Sequence, residues 1–177
     1  MLFTPTPLHG AYIIELERRG DERGFFARAF CAKEFADMGL TAVWLQANVG
    51  FSQHAGTLRG LHYQVAPYEE AKLVRCTKGA IFDVMVDLRP DSDSYKQWFG
   101  MELTETNDKM VYVPEGCAHG YLALTDHAEV FYPVSQFYAP EYEQGVRWND
   151  PAFGIQWPET ARRLISPKDQ SWPDYVF

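Results

Sequence analysis

Cysteine is scarce in this chain. Cys31, Cys76 and Cys117 are the only three in 177 residues, and no two form a Cys-x-x-Cys pair. That pattern argues against a disulfide framework or a cysteine zinc site and makes a reducing cytosol the expected compartment. Long apolar runs are missing too, and the first ten residues carry prolines and a histidine instead of a basic head and an apolar stretch. Neither a membrane span nor a signal peptide is expected. Positive charge is in deficit: 16 Lys and Arg stand against 24 Asp and Glu, for a net charge of -8. Nucleic-acid binding is not expected, and any anion must be held by cations gathered locally. Repeats, low-complexity tracts and linkers are lacking, so residues 1–177 read as one domain.

What is present is a globular composition, 46% hydrophobic and 15% aromatic, ample for a sizeable core. Short apolar or alternating runs fall at 11–16, 25–30, 43–48, 57–64, 72–77, 80–88, 98–103, 110–113, 119–124 and 129–134, with turn residues between them. That spacing predicts an all-β sandwich or barrel. Lys78-Gly79 predicts a hairpin joining 72–77 to 80–88, and Pro114-Glu115-Gly116 links 111–113 to 118–124 in the same way. Phe82, Val84, Val86 and Leu88 share a face that should be core. Helix is expected only at 32–38, before Gly39, and at 158–164. The proline-containing stretch from Asn149 onward should wrap the barrel and bring a residue to its mouth.

The chemistry concentrates in Gly56-Thr57-Leu58-Arg59-Gly60-Leu61-His62-Tyr63-Gln64, followed by Lys72, His119 and Tyr132. A base, a phenolic acid and several cations on a β scaffold suit proton abstraction beside a carbonyl of an anionic substrate. Arg59 and His62 are an odd number apart and would face opposite ways on a regular strand. A bulge at Gly60 would bring both to one site. Arg23, Arg59, Lys72 and Lys168 read either as surface charges or as the cations of a diphosphate site. Phe25, Phe26, Phe137 and Tyr138 read as core or as a clamp for a nucleobase. A metal-binding cupin is the rival reading, through His62, His119 and Glu70. The cations Arg59 and Lys72 beside that set disfavour it.

Taken in order, further segments join these. They are Asp21-Glu22-Arg23-Gly24-Phe25-Phe26, Gln46-Ala47-Asn48, Lys72-Leu73-Val74-Arg75, Phe82-Asp83-Val84 and Val86-Asp87-Leu88-Arg89. Pro114-Glu115-Gly116-Cys117-Ala118-His119-Gly120, Tyr138-Ala139-Pro140-Glu141, Trp148-Asn149-Asp150-Pro151 and Lys168-Asp169 complete the set. From about Gly20 to Asp169 the chain resembles the cofactor-independent dTDP-4-dehydrorhamnose 3,5-epimerase family. The resemblance implies a cupin-like jelly-roll barrel with short peripheral helices, a homodimer, a nucleotide-diphosphate sugar as substrate, and no metal or other cofactor. It implies His62 as base, Asp169 as the group that holds it, Tyr132 as acid on the opposite sugar face, and Lys72 as stabiliser of the enolate oxygen at C4. It implies substrate contacts for Arg23, Gln46, Asn48, Arg59, His119, Glu143 and Lys168, with Tyr138 stacking on the base.

Two positions depart from the family pattern. Arg28 stands where a glutamate is usual, and an arginine donor there would suit cytosine over thymine. A CDP-linked sugar is therefore an alternative substrate. Pro133 follows Tyr132 and cannot donate to a strand ladder, so a displaced acid and inversion at C3 or C5 alone form a further alternative. A non-catalytic sugar-nucleotide binder is the reading from a different class.

Overall fold

The computed structural model describes residues 1–176. Their elements run β1 Leu2–Pro5, β2 Tyr12–Glu15, β3 Arg19–Asp21, β4 Gly24–Phe26, α1 Ala32–Asp37, β5 Gln46–Ser52, β6 Thr57–Gln64 and β7 Lys72–Lys78. They continue with β8 Ala80–Asp87, β9 Trp98–Thr104, β10 Lys109–Val113, β11 Cys117–Ala123, β12 Ala128–Val134, β13 Glu143–Gly145, β14 Leu164–Ile165 and α2 Pro167–Gln170. One sheet has the order β1-β2-β10-β7-β12-β5, the other β13-β6-β11-β8-β9, and β3 pairs only with β4. From β5 to β12 every connection but β8–β9 passes from one sheet to the other. Those crossings make the jelly roll, which pairs strands distant in sequence.

Both expected hairpins are corrected here. Gly79 and Gly116 do turn the chain, with φ of +71° and +77°. Yet β7 lies between β10 and β12, whereas β8 lies between β11 and β9. The turn residues specify a reversal and leave the pairing partner to the rest of the fold. Each turn is a corner between layers.

The face of β8 carrying Val84 and Val86 is buried, but beneath Phe153, Ile155 and Trp157 of the C-terminal wrap. The interior between the sheets takes Ile81 and Met85, with Val74, Val111 and Val130 from the facing sheet. Both faces of β8 are therefore core. On the far side of the first sheet, Phe35 of α1 packs against Ile14, Leu73 and Met110. It is fully buried, which contributes roughly 2–3 kcal/mol to seating that helix.

Residues 158–164 form no helix. Leu164 and Ile165 pair in parallel with Thr57 and Leu58, and the Arg163 guanidinium lies over the Trp148 ring at 4.6 Å. Those contacts override a weak local helical preference. The short α2 lies just beyond, at Pro167–Gln170. Among the described residues no helix is long and apolar enough to cross a membrane.

Candidate active site

A cavity of about 710 Å³ opens between the sheets, and Arg59, His62, Lys72, His119, Tyr121, Tyr132, Lys168 and Asp169 line it. His62 on β6 and His119 on β11 come from one sheet, Lys72 on β7 and Tyr132 on β12 from the other. The base and the acid expected from the sequence thus face the same space from opposite walls.

The β6 wall needs its irregularity. His119 pairs with His62, but Tyr121 pairs with Arg59, so β6 carries one extra residue at Gly60-Leu61. This is the expected bulge, and it brings Arg59 and His62 into one cavity. Gly60 has φ of +113°. A Cβ there would stand 2.6 Å from Gly120 Cα and 2.7 Å from the His119 carbonyl oxygen, so only glycine fits.

His62 Nε2 lies 2.6 Å from Asp169 Oδ1. A carboxylate only accepts, so Nε2 carries a proton, and in the neutral ring the lone pair is then on Nδ1. Asp169 is placed by α2. Ser166 caps that helix, its side chain accepting from the Asp169 N–H at 3.0 Å with Pro167 in the first turn. The Gly60 N–H donates to Asp169 Oδ2 at 3.3 Å. Burial pushes the Asp169 carboxyl up, but His62, Gly60 and Ser166 together bring it below the usual carboxylate value. It stays charged at neutral pH.

Lys72 is buried. Its ammonium donates to the His62 carbonyl oxygen at 3.1 Å and pairs with Glu70 at 3.2 Å. His119 Nε2 lies 2.7 Å from the buried carboxylate of Asp83. Burial, and then Glu70, raises the Tyr132 hydroxyl above the ordinary phenol value, with Arg59 partly opposing. It is a neutral proton donor at physiological pH. Pro133 causes no slip: Phe131 pairs with Arg75 and Val134 with Lys72 on either side of it, in one register.

At the rim, Glu143 accepts from the Tyr138 hydroxyl and from Lys168, both at 2.6 Å. Burial raises the Glu143 carboxyl, but those two donors carry it below its usual value. Tyr138 is 56% exposed. Its N–H donates to Gln46 Oε1 at 2.6 Å. Asn48 sits opposite Tyr132 on the neighbouring strand β5.

Arg23, Phe26 and Arg28 are not brought to this cavity within one chain. Arg23 pairs with Asp21 on the β3–β4 hairpin, and Phe26 is 69% exposed. Arg28 approaches Glu34 at 3.5 Å. That single long contact leaves the guanidinium 62% exposed, with further N–H donors free.

Three residues escaped the sequence reading. Asp83 orients His119, and its signal was a charge inside an apolar strand. Ser166 was legible as the cap of a Ser-Pro-x-Asp turn. Tyr121 carried no polar signal in a strand of apolar neighbours. Among the described residues, no three His, Cys, Asp or Glu side chains gather as a metal site would require.

The family model for dTDP-4-dehydrorhamnose 3,5-epimerase matches residues 5–176. The chain belongs to that family. It is an isomerase of the epimerase type. It is 45% identical to the dTDP-4-dehydrorhamnose 3,5-epimerase of Methanothermobacter thermautotrophicus, over 96% of this chain and 92% of the relative. The crystal structure of the epimerase from Elizabethkingia anophelis superposes with a TM-score of 0.96 at 40% identity, covering 99% of this chain and 96% of that one. A dTDP-4-dehydrorhamnose 3-epimerase of Streptomyces niveus is 39% identical over 96% of this chain and 82% of its own. The family therefore includes a protein named for a single centre.

Proposed function

We propose that this protein inverts C3 and C5 of a dTDP-4-keto-6-deoxyhexose through an enolate. The observation that carries the reading is the placement of His62 and Tyr132 on facing sheets around one cavity. The C4 ketone acidifies the hydrogens on C3 and C5. His62 Nδ1 removes one of them, held in the required tautomer by Asp169. Negative charge moves to the C4 oxygen, where the Lys72 ammonium stabilises it more than it stabilised the neutral ketone. Tyr132 returns a proton from the other face, and the centre is inverted. Arg59, His119 and Lys168 hold the diphosphate and sugar, and Tyr138 stacks on the base, helped by Gln46, Asn48 and Glu143.

The working assembly in this reading is a homodimer. The outer row of β5 exposes Val49 at 65% and Phe51 at 44%, beside Phe131 at 40%. An apolar row on an edge strand is suited to a second copy. The reading also places Arg23, Phe26 and Arg28 among the substrate contacts, at a site completed by more than one chain. A reducing compartment suits the three free thiols.

Solvent exchange tests the reading. In heavy water, dTDP-4-keto-6-deoxyglucose should take up deuterium at C3 and C5, followed by NMR. His62→Ala should abolish uptake and still bind dTDP. Uptake at C3 alone would make the protein a single-centre epimerase, as its Streptomyces relative is named. No uptake at either carbon would refute the proposal.

A further inference from the structure

Tyr121 is 5% exposed and lines the cavity, yet its hydroxyl makes no well-formed hydrogen bond among the described residues. Ser52 lies close enough to donate weakly to the Tyr121 oxygen, short of full hydrogen-bond geometry, and Arg59 acts on it only through its charge, so the phenol's own O–H is left without an acceptor. A buried hydroxyl left unpaired is destabilising, and such groups usually have a partner that the protein alone does not supply.

The backbone around it is shaped to keep that hydroxyl in place. Tyr121 stands two residues from His119 on β11 and reaches across the interior to β5 in the facing sheet. There it meets Gly50, whose φ is not in the left-handed region. A Cβ on Gly50 would lie 2.6 Å from the Tyr121 hydroxyl oxygen and 3.8 Å from the ring carbon that bears it. The missing side chain therefore makes room for one oxygen atom, and a ring without that oxygen would not need it. Gly50 pairs with Val130, two residues before Tyr132 on β12, and Tyr132 packs against the same cluster as Tyr121, so the hydroxyl sits toward the acid's end of the cavity.

We propose that the Tyr121 hydroxyl is a substrate contact, donating a hydrogen bond to an oxygen of the hexose and fixing the sugar against Tyr132. Burial pushes the Tyr121 phenol up to about 12, so it is a donor throughout the physiological range. The hexose is the partner, rather than the diphosphate, because the reacting ring must lie within reach of both His62 and Tyr132. The inference rests on the proposed epimerase reading and names one more contact of that site.

Tyr121→Phe removes the oxygen and little else. With dTDP-4-keto-6-deoxyglucose, kcat/KM should fall roughly tenfold, whereas the Kd for dTDP, which lacks the hexose, should stay within twofold. Thermal stability should hold or rise, since an unpaired buried group is lost. Gly50→Ala should depress kcat/KM in the wild-type background and be tolerated in the Tyr121→Phe background. An unchanged kcat/KM in Tyr121→Phe overturns the inference. So does an equal loss of dTDP affinity, which would assign the contact to the nucleotide. Equal effects of Gly50→Ala in both backgrounds overturn the pairing with Gly50. Wild-type turnover in the same assay separates the two readings, because an inactive wild type refutes the epimerase itself.

Discussion

Asp169→Asn keeps the shape of the side chain and removes its charge, which isolates what the carboxylate does for His62. Two effects follow from the 2.6 Å contact between Oδ1 and His62 Nε2. The first concerns the tautomer. A carboxylate accepts only, so it fixes the proton on Nε2. An amide can turn either its oxygen or its nitrogen to the ring, and the second arrangement leaves the proton on Nδ1, where it blocks the base. The second is electrostatic. When His62 takes a proton from carbon it becomes an imidazolium beside a negative charge. Two unit charges about 4 Å apart attract by about 4 kcal/mol at an effective dielectric near 20. The His62 side chain is 31% exposed, and water screens part of that, leaving about 2–3 kcal/mol. At about 1.4 kcal/mol per tenfold, the charge alone is worth roughly 30- to 150-fold in rate.

With the tautomer effect added, deuterium uptake in Asp169→Asn should fall about 10²- to 10³-fold. KM and dTDP affinity should change little, since Asp169 acts through His62. The assay is the initial rate of uptake at C3 and C5, with dTDP titration as the control for folding. A variant within about threefold of wild type, with dTDP binding intact, would refute the idea that the carboxylate sustains the base.

Lys72→Met keeps length and loses the cation beside the enolate oxygen. Uptake at both carbons should fall about 10²- to 10³-fold, on the scale of removing one stabiliser of a developing oxyanion, and a loss under fivefold would exclude Lys72 from that role. Outside the cavity lining, Asp87 is fully buried and accepts from Arg89, Ser92 and Ser94. Burial pushes its carboxyl up, but those donors win and hold it at about 2, against an ordinary value of 3.8. A depressed carboxyl stabilises the fold above its unfolded value and loses that contribution as pH falls through the folded one. Wild type should lose about 2 kcal/mol between pH 4 and 2 that Asp87→Asn does not lose, measured by urea unfolding. Parallel losses in both would refute the assignment.

Much of this was legible in the chain. Thr57–Gln64 is a strand from end to end, because a β-rich run between glycine and polar residues leaves little choice. Parity called for a bulge at Gly60 once Arg59 and His62 were assigned to one site, and the register of β6 against β11 carries it. Residues 158–164 misled because the stretch ends in a parallel pairing of Leu164 with β6 and in the stacking of Arg163 on Trp148, and such contacts leave no periodic signal. α2 was missed through its brevity, though its Ser-Pro-x-Asp start was in view.

The hairpin error concerns function as well as fold. If Lys78-Gly79 closed a hairpin, β7 and β8 would lie side by side, and Lys72 would share a sheet with Asp83 and His119. The crossing instead sends Lys72 and Tyr132 to one wall and His62, Arg59 and His119 to the other. Inversion through a planar enolate needs one group to take a proton from one face and another to return it from the opposite face. Two side chains on neighbouring strands of one sheet approach a bound ring from the same side. Two on facing sheets can hold it between them. The corners that local turn rules misread are therefore what allow a base and an acid to oppose each other. In this reading the alternation of strands between layers, more than any single residue, makes the barrel interior fit for epimerisation.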